Sequence, residues 1–151
     1  MWFLTQEGVD RYDGKQIKHY NFSDDSIKLD SRIALNWLYM DSGNILWVIG
    51  QKGRIFRYDS QHDKFKLAYI HPELIRNKPQ AFLNYGYLDK NDRIWLCYKD
   101  SITWYDIRTG TTLHMPTPVN GEIAAIEQTD DNHFFIGTGS GLFHTGIEKG
   151  K

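Results

Sequence analysis

The chain has 151 residues, with 18 basic against 19 acidic side chains, enough for one ordinary domain and without the positive excess that holds a phosphate backbone or an anionic membrane. This balance argues against nucleic acid as a partner of the segment. A single cysteine, Cys97, can form neither an internal disulfide nor, alone, a cysteine-based zinc site, so stability has to come from packing. No apolar run exceeds five residues, as in Ile45 to Ile49, far below the roughly 20 residues that span a bilayer. Residues 1–8 carry neither a basic leader nor a long apolar stretch.

In chain order the sequence repeats itself. Met1-Trp2-Phe3-Leu4-Thr5 aligns with Leu46-Trp47-Val48-Ile49-Gly50, with Ile94-Trp95-Leu96-Cys97-Tyr98 and with Phe134-Phe135-Ile136-Gly137-Thr138. The aromatic anchors Trp2, Trp47, Trp95 and Phe135 are spaced by 45, 48 and 40 residues, the period range of propeller blades. Ten or eleven residues after the first three anchors stands a Tyr-Asp pair, Tyr12-Asp13, Tyr58-Asp59 and Tyr105-Asp106. Turns precede the last three anchors: Asp41-Ser42-Gly43-Asn44, Asp89-Lys90-Asn91-Asp92 and Thr129-Asp130-Asp131-Asn132. In the first of these the Asp side chain can bond amides ahead of it while Gly43 is expected to take a positive φ.

Each repeat divides into short aromatic and β-branched runs bounded by Asp, Gly, Asn and Ser, the signature of strands. The second repeat predicts Leu35 to Met40, Ile45 to Ile49, Arg54 to Tyr58 and Phe65 to Ile70, a four-stranded antiparallel meander. Ile45 to Ile49 is apolar at every position, which predicts burial on both faces, as in a blade stacked between two others. The fold expected is all-β: a partial propeller of about three and a half blades over 1–151, with blade pieces near 1–22, 34–70, 82–115 and 122–147. Pro72 to Asn77 reads as one helical turn in a loop. The first piece begins at a second strand and the last stops at a third, so the chain is expected to be a piece of a longer polypeptide.

These residues resemble the two-component regulator propeller repeat, on Asp41-x-Gly43-x-x-x-Trp47 with Tyr58-Asp59 and Phe65, and on Phe135-Ile136-Gly137-Thr138 with Gly141-Leu142. Trp2 to Gly14 is similar to the opening repeat of the periplasmic sensor of Bacteroidetes-type hybrid two-component sensor histidine kinases. The resemblance departs from the repeat pattern where Leu4 replaces its Gly and where Cys97-Tyr98 replaces its Gly-Thr pair. It implies a periplasmic, non-catalytic sensor region of an inner-membrane protein, sensing an oligosaccharide and signalling to a downstream histidine kinase. The implied partners are that ligand, the remaining blades and kinase module of the parent chain, and a second copy in a parent homodimer. The alternatives are a fragment of a propeller enzyme, sialidase-like or lyase-like, or a protein-interaction propeller.

The sequence shows no nucleophile elbow, phosphate loop or dinucleotide fingerprint, and no catalytic residue, metal ligand or cofactor is assigned. The six histidines, His19, His62, His71, His114, His133 and His144, lack zinc spacing and read as ordinary strand or surface residues. Binding is expected instead at one end of the propeller axis, where the loops between second and third strands meet those leading into each first strand. Gln6, Glu7, Gln51, Lys52, Tyr98 and Lys99 come from the former, and Arg32, Lys78 and Asn120 from the latter. Planar amides and charges beside exposed aromatics suit sugar hydroxyls, which take paired hydrogen bonds and a flat apolar face.

Overall fold

The computed structural model describes residues 1–22, 34–72 and 82–146. The expected turn at Pro72 to Asn77 falls outside these, save Pro72, as do Arg32 and Lys78. The chain divides into two compact units, Met1–Ala81 and Phe82–Lys151.

In the first unit, β1 (Trp2–Leu4), β2 (Val9–Tyr12) and β3 (Ile17–Tyr20) form one antiparallel sheet. A second sheet holds β4 (Leu35–Met40), β5 (Leu46–Gly50), β6 (Arg54–Asp59) and β7 (Lys64–Tyr69), each strand paired with its neighbours in sequence. In the second unit, β8 (Tyr85–Leu88), β9 (Arg93–Cys97), β10 (Ser101–Asp106) and β11 (Thr112–Pro116) form a third sheet. The fourth comprises β12 (Ile123–Gln128), β13 (His133–Thr138) and β14 (Gly141–Gly146). Four antiparallel meanders of three or four strands make an all-β partial propeller, each sheet one blade.

Side chains alternate between the faces of a strand, and pairing extends that alternation across each sheet. Trp2 lies opposite Arg11, so Tyr12 belongs to the other face. Trp47 lies opposite Arg57, and Tyr58 faces away from it. Within the first unit the Trp2 face packs on the Tyr58 face of the second sheet, with ring centroids 4.9 Å apart. Val9, Tyr20, Val48 and Phe56 are buried at this junction, joined by Leu4, Leu38 and Phe65. Within the second unit the Trp95 face of the third sheet, with Cys97, Ile102 and Trp104, packs on Ile123, Ile126, Phe134 and Ile136 of the fourth. Burial of this kind contributes about 1.5–3 kcal/mol per large apolar side chain.

β5 and β9 are buried at all five positions each, as the unbroken apolar run predicts for β5. The anchors at the two ends differ. Tyr12 and Phe135 keep their register in the repeat, yet each is 40% exposed. No described sheet of its own unit packs on the face that carries Tyr12 or on the one that carries Phe135, and Phe134, on the opposite face of β13, is the fully buried residue.

The turn between β4 and β5 also differs in one respect from expectation. Asn44, not Gly43, takes the left-handed conformation, at φ 60°, as Asp92 does at φ 59° in the equivalent turn. Asn and Asp tolerate that region through local side-chain hydrogen bonds. The amide of Gly43 instead donates to Asp41 Oδ1 at 2.9 Å.

Candidate functional site

The loops expected to carry function have defined structures. In the first unit, residues 5–8 close with Thr5 N–H donating to the Gly8 carbonyl at 2.9 Å, leaving Gln6 and Glu7 exposed. Gln51–Gly53 forms one turn of 3₁₀ helix with Lys52 at φ 64°. The Gln51 amide donates to the Ala34 carbonyl at 2.7 Å, so this loop and the lead-in to β4 meet at one end, as the strand order requires. Gln51 is exposed and Lys52 half-buried.

The second unit builds a cleft at the corresponding end. Asn84 N–H donates to the Cys97 carbonyl at 2.8 Å, which sets the lead-in to β8 beside the end of β9. Thr117 N–H donates to the Asp100 carbonyl at 3.2 Å, and Ser140 Oγ donates to the Asn120 carbonyl at 2.7 Å. The segment leading into β12 is therefore held to the β9–β10 and β13–β14 loops. Gly121, at φ 92°, allows the close approach, because a Cβ there would stand 3.0 Å from Ser140 Oγ. The resulting open cleft, of about 600 Å³, is lined by Asn84, Glu122, Ile123, Ala124 and Gly139.

Asn84 Nδ2 is buried and has no hydrogen-bond partner among the described residues. An unmet buried donor costs about 1–3 kcal/mol, which an acceptor on a bound molecule would offset. Glu122, whose carboxylate is an acceptor by chemistry, is exposed in the same lining, and Ile123 and Ala124 provide apolar wall.

Of the residues expected here, Asn120 has its carbonyl pinned by Ser140 Oγ and stands next to the cleft lining rather than in it, and Lys99 is exposed on the β9–β10 loop. Tyr98, expected here, is 6% exposed, so its ring offers little flat face to solvent. Asn84 and Glu122 were missed by the sequence reading. The available signal was a lone amide within Phe82-Leu83-Asn84-Tyr85 and a carboxylate two residues past Asn120.

A dense polar cluster of the first unit surrounds Asp63, which has φ 48°. Its Oδ1 accepts from Tyr58 Oη at 2.5 Å, from Tyr20 Oη at 2.6 Å and from Arg11 Nη1 at 3.1 Å. Lys18 Nζ donates to Oδ2 at 2.5 Å. Lys18 first, then the two phenols, hold the Asp63 carboxyl well below its ordinary range. Desolvation first, then the bond to Asp63, pushes both phenols up. Three histidines are each held by a nearby carboxylate, His19 by Asp10, His62 by Asp59 and His133 by Asp130, and among the described residues no three His, Cys, Asp or Glu side chains converge to hold a metal. Burial pushes the free Cys97 thiol up, away from nucleophilic use.

No family model and no curated protein matches the chain. Solved structures do. The extracellular domain of a hybrid two component system from B. thetaiotaomicron shares the fold at TM-score 0.69 and 22% identity, over 96% of this chain and 21% of that one. The extracellular domain of a one component system of the same organism follows at TM-score 0.68 and 16% identity, over 95% and 19%. A catalytically inactive virginiamycin B lyase from Staphylococcus aureus, solved with quinupristin, gives TM-score 0.65 and 17% identity, over 99% and 52%. The chain thus spans about a fifth of the two extracellular domains and about half of the lyase. At these identities the likeness is one of fold. Among the described residues no helix is long and apolar enough to cross a membrane.

Proposed function

We propose that the chain is a non-catalytic sensor segment of a two-component signalling protein, lying outside the cytoplasm, with an oligosaccharide as its ligand and a downstream histidine kinase as its output. The observation that carries this reading is the shared fold with two bacterial extracellular domains over nearly the whole chain, taken with the repeat resemblance of its residues. The Asn84–Glu122–Gly139 cleft supports the ligand: Asn84 Nδ2 would donate to a sugar oxygen, and Glu122 would accept from a hydroxyl. In this reading the parent is a periplasmic sensor anchored in the inner membrane, working as a homodimer. Binding would bias the dimer between two arrangements that the kinase distinguishes.

The likeness to a lyase favours a second, enzymatic reading. Acid–base chemistry needs two positioned groups within reach of the substrate, and among the described residues lining the cleft Glu122 is the one titratable side chain. Calorimetry of the complete sensor region against a panel of neutral oligosaccharides tests the proposal. A saturable heat with one glycan, weakened by Asn84→Ala and with the glycan recovered intact, is expected. No heat with any glycan overturns the sugar ligand, and a cleaved glycan overturns the sensor in favour of the enzyme.

A further inference from the structure

The two sheets of the first unit carry the same three-strand row. In the first, Trp2 lies opposite Arg11 and Arg11 opposite Lys18; in the second, Trp47 lies opposite Arg57 and Arg57 opposite Lys66. In each, the guanidinium sits over the indole, at 5.4 Å for Arg11 and 6.0 Å for Arg57. Like charges directly across an antiparallel pair repel, so each row holds an unfavourable cation pair. The first row is relieved by one carboxylate, Asp63, which meets Arg11 at 3.1 Å and Lys18 at 2.5 Å.

In the second row, among the described residues, a carboxylate meets the lysine but none bridges it to the arginine. Lys66 Nζ is 2.5 Å from Asp59 Oδ2, and His62 Nδ1 is 2.7 Å from the same oxygen, while Asp59 Oδ1 accepts from the Gln61 amide. Asp59 is thus fully engaged, with its carboxyl held well below the ordinary range by Lys66 and then His62. Arg57 is exposed and, among the described residues, its guanidinium has the Trp47 ring as its neighbour and no hydrogen-bonded or ion-paired acceptor. It opens into a cleft of about 400 Å³ that also presents Ser60, Gln61 and His62, with Asp59 the one carboxylate among the described residues of its lining.

We infer that this cleft between the β5, β6 and β7 ends binds the carboxylate of a small soluble ligand, with Arg57 as its paired donor and Lys66 shared between the ligand and Asp59. The geometry is that of the Arg11–Asp63–Lys18 row with the internal carboxylate replaced by an external one. A planar guanidinium favours a carboxylate because two parallel N–H bonds can form. The inference is independent of the Asn84 cleft, which belongs to the other unit.

The test is a titration of the ¹⁵N-labelled chain with sodium acetate and with sodium glucuronate, against sodium chloride and glucose, following the Arg57 Nε–H and Trp47 indole N–H signals. Saturable shifts with both carboxylates, absent with glucose and with chloride, are expected. Arg57→Gln should weaken binding by about tenfold or more, since the bidentate donor is lost. Asp59→Asn keeps the turn's acceptor oxygen but frees Lys66, and should tighten binding. Asn84→Ala should leave it unchanged, so the result stands apart from the sugar proposal. Shifts that match those in chloride, that survive Arg57→Gln, or that weaken with Asp59→Asn overturn the site. Saturation with glucose alone overturns its carboxylate chemistry.

Discussion

Asp89 Oδ2 accepts a hydrogen bond from Trp95 Nε1 at 2.8 Å, and one repeat earlier Asp41 Oδ2 accepts from Trp47 Nε1 at the same 2.8 Å. The other oxygen of each carboxylate takes two backbone amides of its own turn, those of Asn91 and Arg93 or of Gly43 and Ile45. One side chain therefore fixes both the turn and the indole six residues on. The fourth repeat has Thr129 and Phe135 at these positions: the acceptor and the indole donor are missing together. The two turns differ in what else they hold. Asp89 also pairs with Arg93 at 2.6 Å, both side chains being at most 5% exposed. Asp89→Ala should therefore destabilise the chain by about 3–5 kcal/mol, because it leaves a buried cation unpaired. Asp41→Ala should cost about 1–2 kcal/mol, as for a turn and a hydrogen bond alone. Urea unfolding followed by tryptophan fluorescence measures both, and equal losses would show that the buried pair has no special weight.

Gly8 is required by a close approach. At φ 154° its α-carbon faces the Tyr20 carbonyl, and an added Cβ would stand 2.4 Å from that oxygen. The β1–β2 loop cannot shift away freely, because Val9 beside it is fully buried. Gly8→Ala is expected to destabilise by about 1–3 kcal/mol. Gly14, at φ 101° with nothing near its missing Cβ, should lose about 1 kcal/mol from backbone conformation alone. Thermal unfolding of the two variants gives the comparison.

The Asp63 cluster predicts an acid limb of stability. Its carboxyl is held below the usual range when folded, so its contribution is present above the unfolded value of about 3.9 and is lost as pH falls through the folded one. Asp63→Asn should flatten the fall in stability below about pH 4 while lowering stability at neutral pH. Unfolding midpoints across that range read the effect, and parallel acid limbs in the two proteins would remove Asp63 as its source.

His19 has the opposite sign. Its bond to Asp10 at 2.6 Å raises the imidazole above its ordinary 6.5. That contribution is complete below the unfolded value and fades as pH rises through the folded one. The NMR titration midpoint of His19 should fall in Asp10→Asn. Because the imidazole is well exposed, stability should move little.

The blade pattern was legible because its determinants are local. The Asp turn, the indole six residues later and the alternation of each strand lie within one repeat, and the strands follow the predicted runs to within a residue or two. The cleft was less legible, since what exposes a lead-in residue is set by distant partners. Asn84 is placed by the Cys97 carbonyl, and Asn120 by Ser140. The Arg11–Asp63 pair joins residues 52 apart, a link that no local pattern announces.

The sharpest single test of register lies in two adjacent phenylalanines. Sequence alignment puts Phe135 in line with Trp47 and Trp95, and the pairing of β13 agrees, since the Thr129 amide bonds the His133 carbonyl as Asp89 bonds Arg93. Burial goes the other way. Phe134 is 0% exposed and sits 4.5 Å from the Trp95 ring, while Phe135 is 40% exposed and rests against His144 at 4.8 Å. Phe134→Ala should cost about 3–5 kcal/mol, the range for emptying an aromatic site in a packed core. Phe135→Ala should cost less than about 1 kcal/mol in this chain. A slip of one residue in β13 would exchange the two faces of the strand and reverse these losses, so denaturant unfolding of the pair decides which phenylalanine faces the third sheet.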